Sequence, residues 1–142
     1  MYKDILLPID LAEPSSWEKA LPTAVQMCKD YGSKLHVMSV LPDFGSSLVG
    51  SFFPKGFEET AMNEVKKQVK AFVEEHIPAE ISVQRVIANG TVYDEILRVS
   101  EEINIDLIVL ASHRPKLGDY LLGPNAARVV RHAKCSVFIV RV

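Results

Sequence analysis

Apolar positions along the chain follow two patterns. Short runs with almost no polar interruption are separated by longer segments whose apolar positions recur every third or fourth residue. The first pattern suits strands covered on both faces, and the second suits helices with one buried stripe. "YKDILLPI" predicts a first strand, closed by Pro8 and Asp10. "PSSWEKALPTAVQMCKDYG" places Trp17, Leu21, Ala24, Cys28 and Tyr31 at helical spacing, with a Ser15-to-Glu18 capping box and Gly32 as a stop. Pro22 has no amide to donate, so it should kink that helix or shorten its first part.

"KLHVMSVL" predicts the second strand, and "PDFGSSLVGSFFPKG" after it is the longest stretch without a period. A loop of that length in a compact domain is usually functional or mobile. Ala61, Val65, Val69, Phe72 and His76 then mark one face of a long helix that stops before Pro78, and "ISVQRVIA" predicts a third strand ending at Asn89 and Gly90. Thr91 is placed to cap a helix whose buried face carries Val92, Ile96, Val99 and Ile103. "DLIVLAS" has no polar alternation, as a central strand should; "GPNAARVVRHA" predicts the last helix and "SVFIVRV" the last strand. Strand and helix alternate throughout, with no internal repeat. The predicted fold is therefore α/β: one domain over 1–142, an open five-stranded parallel sheet with helices on both faces.

Composition narrows the function. A chain of 142 residues that is 48% hydrophobic can bury one sizeable core. A formal charge of -2 gives no basic field to draw it to nucleic acid or to anionic lipid. Two cysteines in neither a CxxC nor a CxxH spacing argue against a disulfide scaffold or a structural zinc site, and they fit a reducing compartment. The N-terminus has no signal-peptide pattern, and no apolar run approaches the roughly 20 residues that span a bilayer. The expectation is a soluble, cytoplasmic protein with no membrane partner.

Ligands of such sheets sit beyond the carboxyl ends of the strands, where the strand order reverses. The loops to search begin at Pro8, Leu41, Ala88 and Ser112. Asp10 suits a ribose hydroxyl or a metal, and equally a solvated acid that starts a turn. Val40 and Leu41 offer backbone groups to the edge of a purine, as any strand end does. The fourth loop is richer. Gly123 opens a helix whose first amides, on Asn125, Ala126 and Ala127, have no intrahelical partner, and Ser112, Asn125 and Arg114 add a hydroxyl, an amide and a fixed charge. Spacing leaves two readings, a phosphate cradle or a solvated loop in which Gly123 merely turns the chain.

"ILLPID", "LIVLASHRP" and "YLLGPNAARVVRHAKCSVFIVR" together resemble the universal stress protein family, and within it the UspF-like branch, along essentially the whole chain. The resemblance implies a sheet of the adenine nucleotide alpha-hydrolase-like, Rossmann-like type, usually in a homodimer, in a family where one branch binds ATP and another does not. Binding members carry Gly-x-x-Gly, about nine residues, then Gly followed by Ser or Thr. Here Ala111 and Arg114 stand at the first two glycines, the spacer is one residue short, and Pro124 replaces the final hydroxyl residue. By that likeness Pro8, Ile9 and Asp10 flank the nucleoside and Val40 meets adenine through its backbone. Ala111, Ser112, His113, Arg114, Gly123, Pro124, Asn125 and Ala126 surround the triphosphate, with magnesium bridging its oxygens near Asp10. The implied ligand is ATP, with ADP or AMP as variants, and the implied role is a stress-response signalling module acting on a protein partner.

An enzyme is not expected. His113 in the phosphate loop has no acid placed to orient it, and His132, His36 and His76 lack partner spacing for a metal. No G-x-S-x-G element and no P-loop lysine occurs, so at most weak hydrolysis is expected. A slow ATPase, an adenylate-transferring enzyme and a family member that binds protein but no nucleotide are the alternatives. Cys28 and Cys135 read as buried thiols. The last strand, 136–142, is a predicted sheet edge, and pairing with a second copy would cover it.

Overall fold

The computed structural model describes residues 1–41, 56–112 and 123–142. Five strands form one parallel sheet: β1 (Asp4–Ile9), β2 (Lys34–Leu41), β3 (Val83–Asn89), β4 (Leu107–Ser112) and β5 (Ser136–Arg141), in the order β3-β2-β1-β4-β5. Four helices connect them: α1 (Ala20–Tyr31), α2 (Phe57–His76), α3 (Val92–Glu102) and α4 (Pro124–His132). The predicted fold class is thus the observed one. The long loop of the sequence analysis falls at 42–55, outside the described residues, as do His113 and Arg114.

Alternation of side chains across the strands splits the core into two layers. Ile5, Leu7, Leu35, Val37, Leu107 and Val109 point to one face, where Ala24 and Cys28 of α1 and Val69 and Phe72 of α2 cover them. Leu6, Met38, Ile108 and Leu110 point to the other, against Ile96 and Val99 of α3 and Ala126 and Val129 of α4. Most of these side chains are fully buried. Each contributes roughly 1.5–3 kcal/mol from burial, which is why uninterrupted apolar runs mark the central strands so clearly.

The sequence reading needs correction around α1. Residues Pro14–Ser16 form a separate 3-10 turn, and α1 begins only at Ala20, after an N-cap at Lys19 that makes no side-chain capping bond. Pro22 therefore falls in the first turn, where its missing amide has no intrahelical acceptor anyway, and the helix is shortened rather than kinked. The Ser15-to-Glu18 capping box does not form at this helix. Trp17 lies outside α1 and packs edge-on against Phe72 at 5.0 Å and against His76 at 4.8 Å between ring centres. Gly32 ends α1 as expected, in the left-handed conformation at φ 69°.

β1 and β2 stay paired over the whole of β1, from Asp4 to Ile9. β1 and β4 pair only at Ile5 with Leu107 and Leu6 with Ile108. Beyond that point the two strands part, at the place where the order of strands reverses, and Pro8 brings no amide to either neighbour. A crevice opens there at the carboxyl end of the sheet.

Candidate functional site

The crevice is a cavity of about 660 Å³, within the range of small-molecule sites. Of the residues singled out in the sequence, Pro8, Ile9, Asp10, Val40, Ala111, Gly123, Pro124, Asn125 and Ala126 line it. Three separate strand ends and one helix start thus converge as expected. Ser112 does not line it. That residue is fully buried, and its Oγ has no hydrogen-bond partner.

The loop after β1 closes on itself. Asp10 N donates to Ser16 Oγ at 2.9 Å, and Ser16 Oγ donates back to Asp10 O at 3.0 Å. One Asp10 carboxylate oxygen accepts from Ala12 N at 3.0 Å, which leaves the other for a ligand hydroxyl or a cation. Asp10 thus builds a turn, and it also lines the cavity.

At the other end of the cleft, Gly123 precedes α4 with φ 86° and ψ 157°, a conformation that suits glycine. Pro124 is the first helical residue, no side chain caps the helix, and no acidic residue occurs in its first turn. The amides of Asn125 and Ala126 are thus unclaimed by any cap, while Ala127 N bonds to Gly123 O at 3.0 Å. Pro124 removes one donor and leaves the positive end of the helix open to an anion. α3 starts beside it with Asp94 and Glu95 in its first turn, and Arg128 of α4 lies over the Tyr93 ring at 4.5 Å. Thr91 stands at the α3 N-cap, as expected, but its hydroxyl makes no capping bond.

Several cavity residues escaped the sequence reading: Glu13, Ser39, Val65, Gln68 and Val92. Val92 was assigned to the buried stripe of α3; it is 38% exposed because it sits at the cavity rim. A helix stripe that runs past the end of the sheet signals such a position, since nothing of the sheet remains to cover it.

Away from the cleft, His36 is 4% exposed and hydrogen-bonds with Gln84 Oε1 at 2.5 Å and Asp4 Oδ1 at 2.9 Å. These three side chains sit on adjacent strands near the amino end of the sheet. Burial pushes the Cys28 thiol up to about 11, and it also raises Cys135, so both thiols stay protonated at neutral pH. No group of three His, Cys, Asp or Glu that could hold a metal occurs among the described residues, nor does a helix long and apolar enough to cross a membrane.

A family model described as the universal stress protein family matches residues 1–141. "Universal stress protein G" of Escherichia coli O157:H7 is 32% identical over 143 residues, covering 99% of this chain and 100% of the relative. The F-like branch is a finer assignment than these matches make. Among solved structures, the one titled as a structure-based functional assignment of hypothetical protein MJ0577 superposes with a TM-score of 0.80 at 24% identity, covering 100% of this chain and 97% of that one. A universal stress protein solved in complex with cAMP superposes with a TM-score of 0.63 at 21% identity, over 99% of this chain and 97% of its own.

Proposed function

The chain belongs to the universal stress protein family, and on that premise we propose that it is an adenine-nucleotide-binding module of a stress response. One observation carries the reading: a largely apolar cleft at the point of strand reversal ends at a helix start with neither cap nor carboxylate of its own. The apolar stretch takes the nucleoside and the α4 amides take the phosphates. Complex formation with cAMP in a neighbour of the same fold supports an adenine nucleotide as the ligand.

The donors in the cleft bear on magnesium. Among the described residues one Asp10 carboxylate oxygen has no partner and Glu13 lines the same wall, but these residues form no cage of three acids. Magnesium would enter with the phosphates of ATP and supply charge neutralisation, with Asp10 the carboxylate placed to meet it. The sequence has no P-loop lysine motif and no G-x-S-x-G element, which supports occupancy with little or no hydrolysis. β5 is one of the two edge strands of the sheet and Phe138 on it is 44% exposed, which supports pairing with a second copy through this strand.

Calorimetry with MgATP, ADP and AMP on the wild type and on Gly123→Val, with mass analysis of any co-purifying small molecule, tests the reading. Saturable binding by the wild type and its loss in the variant are expected. A variant that binds as tightly as the wild type would place the phosphates elsewhere.

A further inference from the structure

At the end of the sheet opposite the cleft lies a buried polar cluster that takes no part in the nucleotide site. His36 of β2 stands in register between Leu6 of β1 and Gln84 of β3, on the face that α3 covers. Its ring is buried, and both ring nitrogens are bonded: Nε2 to Asp4 Oδ1 and Nδ1 to Gln84 Oε1. A carboxylate oxygen only accepts, and so does a carboxamide oxygen. A ring that donates to both is an imidazolium. Leucine or valine here would continue the apolar layer of Leu6 and Met38 and would need neither partner.

A neutral imidazole has one donor nitrogen and one acceptor. The Asp4 carboxylate keeps the hydrogen on Nε2, so the proton that leaves is the one on Nδ1, and Nδ1 then needs a donor. Gln84 supplies it by turning its carboxamide over, amine toward the ring and oxygen away. Other charged groups around the ring are engaged or point elsewhere. The Asp4 amide is held by Asp106 Oδ1, Lys34 of β2 is exposed, and Arg85 of β3 alternates to the opposite face. α3 turns Val99 and Ile103 to this layer, and its Ser100 hydroxyl donates to Leu97 O. Its Arg98 pairs with Glu95 and Glu102, its Glu101 pairs with Lys134, and Asp94 sits in its first turn at the far end. We propose that His36 and Gln84 form a proton-driven switch. Gln84 is exposed on β3, an edge strand, so the switch sets what that edge shows to solvent: an amine when the ring holds two protons, a carbonyl oxygen when it holds one.

The test is nuclear magnetic resonance on the full, isotopically labelled chain, following the His36 ring nitrogens and the Gln84 side-chain amide over the pH range in which the chain stays folded. Loss of the Nδ1 proton and a shift of the Gln84 amide resonances are expected at one shared midpoint. Overhauser contacts from the Gln84 amide hydrogens to the ring Hε1 should appear on the alkaline side alone, since they read the turn itself and not the change of charge. In His36→Leu the pH response of the Gln84 amide should be lost. Gln84→Glu offers an acceptor whichever way it turns, so it should hold the Nδ1 proton to higher pH than the wild type does; this variant decides the matter if His36→Leu does not fold. A ring that keeps one protonation state throughout would overturn the proposal, as would Overhauser contacts that do not change while the ring titrates, or a Gln84 response that survives in His36→Leu. A Gln84→Glu ring that titrates with the wild type would overturn it as well.

Discussion

α3 and α4 start side by side at the carboxyl end of the sheet, cover the same face of it and touch through Arg128 and Tyr93, yet their first turns differ. α3 carries Asp94 and Glu95 there, so its positive end is met by its own carboxylates. α2 does the same with Glu58 and Glu59, and Glu58 also accepts from Asn89 Nδ2 at 2.8 Å. α4 has glycine, proline, asparagine and alanine instead, with no acid and no side-chain cap. α1 also starts with neither acid nor side-chain cap, but of these two helix starts only that of α4 lines the cleft. The difference marks where an anion can be bound without displacing a native interaction.

The largest expected effect comes from blocking the geometry of the incomplete helix. Gly123→Val forces a β-branched residue to φ near 86°, at a strain of about 1–3 kcal/mol, and moves the amides that follow. Calorimetry should show nucleotide affinity down by about a hundredfold, with a lowered melting temperature. Asn125→Asp makes α4 resemble α3 by adding a carboxylate at an exposed first-turn position. Two signs then oppose each other: the helix gains about 0.3–1 kcal/mol, raising the melting temperature, while AMP affinity falls about tenfold. If both quantities fall, the residue acts through packing and not through charge.

The reverse change on α3 is expected to be smaller. Asp94→Asn should cost about 0.3–1 kcal/mol in chemical denaturation and leave nucleotide affinity unchanged. The smallest effect lies in a region that the ligand does not touch. Cys28 titrates near 11 in the fold because it is buried, above its ordinary value of 9.0, so the native state holds its proton longer than the unfolded chain does. The stability it supports is fully present below pH 9 and is lost as pH rises toward 11. Cys28→Ala should lack this component of the alkaline decline, and alkylation of Cys28 should be slow with or without nucleotide.

Sequence made the fold legible because its central strands are unbroken apolar runs, bounded by Asp10, Gly32 and Gly90. It failed around α1, where local spacing suggested a helix from Ser15. Pro22 instead fixed the start of the helix near Ala20, and Trp17 found partners on α2, far along the chain. The backbone parts of the site were legible for a related reason: strand ends and a Gly-Pro helix start announce themselves locally. Ser39 and Gln68 were not, because a serine inside a strand and a glutamine on a charged helix acquire meaning only when β2 and α2 are seen to share one wall. The partners of His36, on the two strands that flank its own, were hidden for the same cause.

The claim that an anion completes α4 is open to direct measurement by amide chemical shifts, in a titration of isotopically labelled protein with AMP and, separately, with adenosine. The Asn125 and Ala126 amides should move strongly downfield with AMP and little with adenosine, while those of Asp94 and Glu95 at the start of α3 stay in place with both. AMP that saturates the protein and leaves Asn125 and Ala126 unmoved would contradict it.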